Sequence, residues 1–291
     1  MVVALLLILV GIGTVVFHFW SPWWFTDIAS NWGFIDTTII ITFWVTGAVF
    51  VAVMGFTAYC VFRYRYKEGR RAEYEPENTK LEWWLTGLTT VGVVIMLAPG
   101  LVAWGQFVDV PEEATEFEAL GQQWQWSFRL PGKDGLLGTT NVRNVGDENP
   151  FGMNPDDPNG QDDILMDGDD LHLPIDKPVK VLLRSLDVLH DFYVPEFRAK
   201  MDMVPGMVTF FWFTPTRTGT YDILCFELCG IGHYAMRALV VVEEESAYQE
   251  WLQEQSTFAQ SLAQAGDGPG DAVHRVLNLS EADSAEKRLV R

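Results

Sequence analysis

Hydrophobic residues dominate the first third of the chain in three long runs, at residues 1–19, 34–62 and 83–104. A helix that crosses the hydrocarbon core of a bilayer needs about 20 predominantly apolar residues. The pattern therefore predicts a membrane anchor of two or three transmembrane helices. We expect one apolar helix within residues 1–25 and a helical hairpin over residues 34–107.

The first run has a second interpretation, because an apolar N-terminal stretch is also typical of a cleaved export signal. No Lys or Arg precedes the run, as the basic start of such a signal would require, and the aromatic sequence SPWWF follows it. Tryptophan is enriched at membrane interfaces. We expect residues 1–25 to be retained as a transmembrane helix, with processing as the open alternative.

A basic cluster, RYRYKEGRR at residues 63–71, separates the second run from the third. Short loops rich in Lys and Arg usually face the cytoplasm. The chain that follows the third run would then lie on the opposite side, which in a bacterium is the periplasm. The sequence thus predicts a multi-pass protein of the bacterial inner membrane with a periplasmic domain.

From residue 108 onward the pattern changes to short segments rich in β-branched and aromatic residues, separated by Pro, Gly and Asp. Such segments are typical of β-strands. We therefore predict an all-β domain over residues 108–242, built as an antiparallel sandwich or a Greek-key barrel. The clearest predicted strands cover residues 179–183, 208–213, 221–224 and 238–242.

Two further segments lack this strand pattern. Residues 131–170 are rich in Gly, Asp, Asn and Pro without periodicity, which predicts a long surface loop. After residue 242 the sequence SAYQEWLQEQSTFAQSLAQAG predicts a polar helix, so we assign residues 243–291 to a helical tail.

The charge is strongly one-sided. The 291 residues carry a formal net charge of −19, and nearly all of it falls after residue 107. A negative field of this kind repels nucleic acid and attracts basic proteins. We expect no nucleic-acid partner, although solubility alone would account for the charge equally well.

The sequence CFELCGIGHYAM, which begins at Cys225, concentrates metal-binding side chains in one predicted inter-strand loop. A disulfide between Cys225 and Cys229 is plausible in an oxidising compartment, but it leaves Glu227, His233 and Met236 without a role. Zinc would use cysteine and histidine, but methionine is a poor zinc ligand. Thiolate, imidazole and thioether together favour copper.

A second imidazole must come from elsewhere in the chain. His190, in SLDVLHDFYVP at the end of a predicted strand, is the best candidate, whereas His172 fits a packed strand edge. A single blue-copper ion uses one Cys, two His and a weak axial Met. Two thiolates four residues apart could instead bridge two copper ions, each completed by its own imidazole.

The spacing C-x-E-x-C-x-x-x-H-x-x-M, with DVLH ending at His190, resembles the dinuclear copper A site of cytochrome c oxidase subunit II. The resemblance extends to LHLPIDKPVKVLL, to VPG at residues 204–206, to WQW at residues 124–126 and to a helical hairpin ahead of the β domain. It covers about residues 34–242 and implies a cupredoxin-like Greek-key barrel.

The resemblance also implies a ligand set. Cys225 and Cys229 would bridge the two copper ions. His190 and Met236 would complete one ion, and His233 would bind the other.

Glu227 and Glu82 have further implied roles. The backbone carbonyl of Glu227 would complete the second copper ion, and its carboxylate would face a magnesium or manganese ion shared with subunit I; the alternative is a solvated loop acid. Glu82 resembles the acid at the mouth of a proton channel in subunit I, although a carboxylate in the first turn of a helix is also favoured by the helix dipole.

The implied route of electron input begins at Trp124, which matches the surface tryptophan of the family. The family usually has His and Tyr where this chain has Gln122 and Gln125. Asp187 and Glu196 are candidates for docking a basic cytochrome c through surface charge.

The resemblance implies the electron-accepting subunit of a proton-pumping haem-copper oxidase. The chain would take electrons from cytochrome c and pass them to haem a in subunit I, where oxygen is reduced to water. Its implied partners are subunit I, the other oxidase subunits, cytochrome c and a supercomplex with a cytochrome c reductase. The alternatives are a membrane-tethered copper carrier and a structural subunit of a quinol oxidase.

Overall fold

The computed structural model describes residues 1–21, 26–71, 74, 76–146 and 149–266. These residues form two compact units. The helical unit comprises Met1–Val110 and the short segment Glu196–Arg198, and the β unit begins at Pro111 and holds the rest of the described chain. Most of the SPWWF sequence and residues 267–291 of the predicted tail lie outside the described residues.

Three long helices make up the helical unit: α1 Val2–Trp20, α2 Gly33–Arg63 and α3 Thr79–Val108. Each is long and apolar enough to cross a membrane. Many of their large apolar side chains are exposed, as side chains that contact lipid would be. The helical membrane anchor predicted from the hydrophobic runs is therefore confirmed, in its three-helix form.

Small residues line the contact between α1 and α2. Ala4 and Ala58 are buried, and a Cβ atom added at Gly11 would lie 3.8 Å from the Cβ of Met54. In lipid, small side chains favour helix association because they let the backbones approach closely. The first hydrophobic run thus forms a helix that packs on its neighbour.

Within the helical unit, the segment Glu196–Arg198 is bound near the start of α2. Arg198 donates from Nε and Nη2 to the two carboxylate oxygens of Asp36, at 2.6 and 2.9 Å. Ser30 Oγ donates to the carbonyl of Phe197 at 2.8 Å. Bidentate guanidinium–carboxylate pairs are strong and directional, so this segment has a fixed place in the helical unit.

Ten strands form the β unit: β1 Thr115–Gln122, β2 Gln125–Leu130, β3 Ile164–Asp167, β4 Leu171–Pro174, β5 Val179–Ser185, β6 His190–Val194, β7 Ala199–Met203, β8 Thr209–Phe213, β9 Gly219–Cys225 and β10 Arg237–Glu243. They make two five-stranded sheets, in the orders β3-β2-β1-β5-β8 and β4-β10-β9-β6-β7. The all-β cupredoxin-like class is confirmed. The sheets are mixed rather than purely antiparallel, because β1 pairs with β5 and β4 with β10 in parallel.

Buried aromatic side chains fill the core of the β unit. The ring of Phe192, on β6, meets Trp126 of β2 edge to face at 5.8 Å and lies 5.9 Å from Phe211 of β8. On β5 the buried positions alternate strictly along the strand, as expected when one face of a strand meets the core. This packing holds the ends of β6 and β9 in fixed positions.

Residues 131–163 differ in part from the predicted surface loop. Phe151 and Met153 are fully buried and cluster with Leu120 and Phe258, and β3 begins at Ile164, inside the predicted loop. Hydrophobic periodicity does not reveal this core, because the buried side chains come from irregular backbone without a repeat. Most of the described residues from 132 to 150 are exposed or half-buried, so the segment is a surface loop that buries residues 151–153 in the core.

The tail begins with two helices, α4 Glu245–Glu254 and α5 Phe258–Gly266. His172, on β4, approaches Glu243 Oε1 through Nδ1 at 2.8 Å and stacks on Trp251 at 4.3 Å. The backbone N–H of Phe258 donates to the carbonyl of Asp163 at 2.8 Å. His172 therefore joins the tail to the sheet, in line with its predicted place as a packed strand-edge residue.

A buried ionic cluster lies beneath the irregular segment. Arg129 pairs with Glu118 at 2.8 Å and with Asp163 at 3.2 Å, and all three side chains are almost fully buried. Arg184 also pairs with Glu118, at 2.7 Å. Burial raises the pKa of Asp163 to about 6, although the N–H of Gly138 and the charge of Arg129 favour its anion.

Candidate metal centre

Strand pairing brings the predicted ligands together. Strand β6 lies beside β9 with Phe192 opposite Cys225, and His190 is the first residue of β6. Cys225 ends β9, and the loop from there to β10 carries the other predicted ligands. An imidazole and a thiol that are far apart in sequence therefore meet at one edge of the β unit.

The sulfur and nitrogen atoms form a compact cluster. Cys225 Sγ and Cys229 Sγ are 3.7 Å apart, and neither cysteine is in a disulfide. His190 Nδ1 lies 3.8 Å from Cys225 Sγ, and His233 Nδ1 lies 3.5 Å from Cys229 Sγ. Met236 Sδ lies 3.8 Å from Cys229 Sγ.

The backbone oxygen of Glu227 also faces the cluster, 3.2 Å from Cys225 Sγ. The side chain of Glu227 is half-buried. The structure thus gathers all six residues of the predicted ligand set in one loop and the adjoining strand end.

These spacings fit a pair of metal ions that share two thiolates. Zinc–sulfur bonds are about 2.3 Å and zinc–imidazole bonds about 2.0 Å, so at comparable bond lengths two sulfurs on one ion lie at most about 4.6 Å apart and a sulfur and a nitrogen at most about 4.3 Å. The measured separations fall within both limits. Thiolate, thioether and imidazole donors together suit copper, so the residues present fit a copper pair.

Asp187 orients the imidazole of His190. Its Oδ1 accepts a hydrogen bond from His190 Nε2 at 2.8 Å, which leaves Nδ1 directed at the sulfurs. The backbone N–H groups of Gln123 and Val188 donate to the same carboxylate at 2.7 and 2.6 Å. Burial would raise the pKa of Asp187, but these hydrogen bonds outweigh it and hold the pKa below its ordinary value. Acids that orient ligand imidazoles in this way are common around metals.

The two thiols differ in their electrostatic surroundings. Burial opposes ionisation of Cys225, but hydrogen bonds with His190, with His233 and with the backbone of Asp191 and Glu227 together outweigh burial and lower the pKa of the Cys225 thiol. Burial and the neighbouring Cys225 sulfur raise the pKa of Cys229. The protein thus stabilises one thiolate by itself, and a second anion beside it requires a positive charge such as a metal ion.

The turn between β1 and β2 covers the loop that carries the cysteines. Trp124 Nε1 and Gln123 Nε2 both donate to the carbonyl of Cys229, at 3.2 and 2.8 Å. A Cβ atom at Gly232 would lie 2.3 Å from Trp124 Cδ2. The glycine therefore lets the indole lie flat against the loop, with Trp124 still 39% exposed.

The remaining predicted site residues lie in the helical unit. Glu196 belongs to its short segment and accepts a backbone hydrogen bond from Ala29 at 2.8 Å. Glu82 is exposed in the first turn of α3, which Asn78 caps by accepting from the N–H of Leu81.

Three features beside the candidate metal centre were not predicted from the sequence. The first is the contact of Gln123 with Cys229, which depends on the β1–β2 hairpin. The second is Asp191, which follows His190, pairs with Lys200 at 2.7 Å and is buried enough to raise its pKa to about 7. The third is an exposed apolar rim on the ligand loop, formed by Phe226, Leu228, Ile231 and Tyr234. Of these three features, only the rim could have been predicted from the sequence, because large apolar residues in a turn between strands indicate an exposed apolar surface.

Comparison with known proteins gives consistent matches. Residues 115–244 match the family model described as cytochrome c oxidase subunit II, periplasmic domain. The chain is 70% identical over 259 residues to the alternative cytochrome c oxidase subunit 2 of Bradyrhizobium diazoefficiens, across 89% of this chain and 94% of that protein. It is 28% identical over 230 residues to cytochrome c oxidase subunit 2 of Cereibacter sphaeroides, across 72% of this chain and 75% of that protein.

Among solved structures, the chain is similar to the periplasmic domain of subunit II of cytochrome oxidase of Bradyrhizobium japonicum. The TM-score is 0.37 and the sequence identity 26%, over 50% of this chain and 95% of that chain.

Proposed function

Because the chain belongs to the cytochrome c oxidase subunit II family, we propose that it accepts electrons from cytochrome c at a dinuclear copper A site and passes them to haem a in subunit I. As a family member it is one subunit of an oxidoreductase complex, and the other oxidase subunits are its partners. It is a membrane protein with a periplasmic domain. The reduction of oxygen to water would take place outside this chain.

The observation that carries the proposal is the pair of unjoined sulfur atoms, 3.7 Å apart, with an imidazole nitrogen beside each. A disulfide would leave no sulfur free to bind metal. The site has two free thiols, Cys225 and Cys229, with an imidazole for each, which suits two ions.

In this proposal Cys225 and Cys229 hold both copper ions, His190 and Met236 complete one, and His233 with the Glu227 carbonyl completes the other. When bound, a thiolate-bridged copper pair supplies a one-electron redox centre whose charge is shared between two ions. The protein contributes rigidity and exclusion of water, because His190, Cys229 and Met236 are almost fully buried. Ligands fixed by packing move little when the charge changes, which favours fast electron transfer.

Electron input at Trp124 is supported by its position. The indole is partly exposed on one side and donates to the backbone of a proposed copper ligand, Cys229, on the other. The apolar rim and the negative net charge of the domain suit a basic cytochrome c. Asp187 in the β unit and Glu196 in the helical unit are the proposed docking acids.

Two finer residue roles, the location and one further partner complete the proposal. The carboxylate of Glu227 would bind a magnesium or manganese ion shared with subunit I. Glu82, exposed in the first turn of α3, would stand at the entrance of the proton channel of a proton-pumping oxidase. The complex would lie in the bacterial inner membrane, and a cytochrome c reductase would be its supercomplex partner.

The two alternatives fit less well. A copper carrier needs exposed ligands that exchange metal, whereas His190 and Met236 are buried. A structural subunit of a quinol oxidase would need no copper ligands, whereas all six candidates meet here.

Copper quantitation and electron paramagnetic resonance on the purified oxidase test the proposal. We expect two copper ions in this chain that share one unpaired electron when oxidised. Cys225→Ser should abolish that signal, while Cys60→Ser, which changes the cysteine of α2, should retain it. One ion per chain, or a signal that survives Cys225→Ser, would refute the dinuclear site.

A further inference from the structure

Gln123 makes two hydrogen bonds that point to opposite sides of the candidate metal centre. Its backbone N–H donates to Asp187 Oδ2 at 2.7 Å. Its side-chain Nε2 donates to the carbonyl of Cys229 at 2.8 Å. One residue of the β1–β2 turn therefore contacts both the turn before His190 and the loop after β9.

The first contact reaches a proposed ligand through one intermediate. Asp187 uses its other oxygen, Oδ1, to accept the hydrogen bond from His190 Nε2 at 2.8 Å. The backbone of Gln123 thus helps to fix the carboxylate that sets the orientation of the imidazole. The chain of contacts runs from His190 through Asp187 and Gln123 to Cys229.

The loop is shaped to receive the side-chain amide. Gly230 has a φ angle of +119°, which side chains rarely adopt, and a Cβ atom there would lie 2.9 Å from Gln123 Nε2. A larger residue would displace the amide, so both the backbone conformation and the space at Gly230 suit its presence.

The hairpin also approaches His190 directly. A Cβ atom at Gly121, the residue two before Gln123, would lie 3.2 Å from Cγ and Cδ2 of the His190 ring. The end of β1 therefore packs closely on the imidazole while the turn that follows holds the cysteine loop.

We propose that Gln123 is a positioning residue that fixes the distance between the His190 side and the Cys229 side of the site. The inference rests on the proposed copper function. Without the amide, the Cys229 carbonyl keeps the bond from Trp124 Nε1 at 3.2 Å, but the turn that holds Asp187 loses the shorter of its two hydrogen bonds to that carbonyl. Residues that support metal ligands in this way usually affect metal affinity by about 10- to 100-fold.

The matched test compares Gln123→Leu with Gln125→Leu in the purified oxidase. Gln125 is the first residue of β2, directly after the turn, and its Nε2 donates to Asp167 Oδ1 at 2.7 Å, away from the copper ligands. In Gln123→Leu we expect about a tenfold loss of copper affinity against a competing chelator. We also expect a changed hyperfine pattern and visible spectrum in fully loaded protein. Gln125→Leu should match the wild type in all three measurements.

A double variant tests whether Gln123 and Asp187 act on copper binding through the same contacts. Asp187→Ala breaks the same chain of contacts at the His190 end, so Asp187→Ala and Gln123→Leu together should change copper affinity less than the product of their separate effects. Multiplicative effects, or a loaded Gln123→Leu protein with a wild-type spectrum, would overturn the positioning role. A wild-type protein without the shared-electron signal would instead refute the dinuclear copper function itself.

Discussion

His190 donates from Nε2 to Asp187 Oδ1 at 2.8 Å, so the acid that the sequence predicts for partner docking is part of the support of a proposed metal ligand. Two backbone N–H groups hold the same carboxylate. Because Asp187 accepts three hydrogen bonds, its main role is to hold the imidazole of His190 in position. Any contribution of Asp187 to docking comes from the charge that it retains.

Replacing this acid should therefore affect copper as well as partner binding. We expect Asp187→Ala to lower copper affinity by about tenfold, because the imidazole loses the partner that orients it. Glu196→Gln, which removes the other predicted docking acid, should leave the copper spectrum unchanged and alter only the salt dependence of the reaction with cytochrome c. Copper retention and spectra of both variants check this, and equal spectra for the two would contradict the role of Asp187.

The contrast between these acids shows what the sequence could predict. The motif around Cys225 specifies the ligand types and their spacing. The sequence favours His190 over His172 because His190 follows a predicted strand, and in the structure it is the first residue of the next strand, β6. Asp187 precedes His190 by three residues in a turn, so the hydrogen bond between their side chains could have been predicted from the local sequence. Gln123 was not, because its contact with Cys229 exists only through the pairing of β1 with its neighbours.

The same limit explains the irregular segment before β3. Periodicity reveals a core only where regular backbone repeats it, and Phe151 and Met153 are buried by backbone without a repeat. The three hydrophobic runs, in contrast, predict helices because length and composition suffice for a membrane span.

The packing of Trp124 on Gly232 predicts a selective effect on electron input. In Gly232→Ala the new Cβ would lie 2.3 Å from Trp124 Cδ2, so the indole must move. We expect slower reduction of copper by cytochrome c with an unchanged copper content. Gly146→Ala is the control, since a Cβ at Gly146 has no atom within 4 Å. Stopped-flow reduction distinguishes the two, and equal rates would argue against Trp124 as the input residue.

The contact of α1 with α2 predicts that the first helix is retained in the mature subunit and is not cleaved. Gly11→Leu should weaken this packing, because Gly11 faces Met54, and should lower the thermal stability of the oxidase in detergent. Gly13→Leu adds the same side chain where no atom lies within 4 Å and should have little effect. Mass spectrometry of the mature chain should find residues 1–25 present. Their removal in the assembled oxidase would contradict this prediction.

The buried cluster around Arg129 predicts a large loss of stability from one substitution. Arg129→Met leaves the carboxylates of Glu118 and Asp163 buried without their shared cation, which costs about 3–5 kcal/mol in similar cases. Arg237→Met removes an exposed pair with Asp222 and should cost less than about 1 kcal/mol. Urea unfolding of the β unit measures both. Similar losses for the two variants would show that the cluster is weaker than its burial suggests.

Asp163 predicts how stability depends on pH. Its pKa is about 6 in the folded protein, mainly because of burial, against an ordinary value of 3.8. The folded state therefore binds this proton more tightly than the unfolded state. The contribution of Asp163 to the free energy of unfolding falls as pH rises from about 4 to about 6, by up to about 3 kcal/mol, and is constant above that range.

The variant Asp163→Asn isolates this effect, because its amide is neutral at every pH. Arg129, Asp162 and Asp134 also act on Asp163, but they remain in both proteins, so the difference in unfolding free energy between variant and wild type cancels most of their own titration. That difference should shift in favour of the variant as pH rises from about 4 to about 6. A difference that does not vary with pH would mean that Asp163 stays ionised beside Arg129, and that the ion pair outweighs the cost of burying the carboxylate.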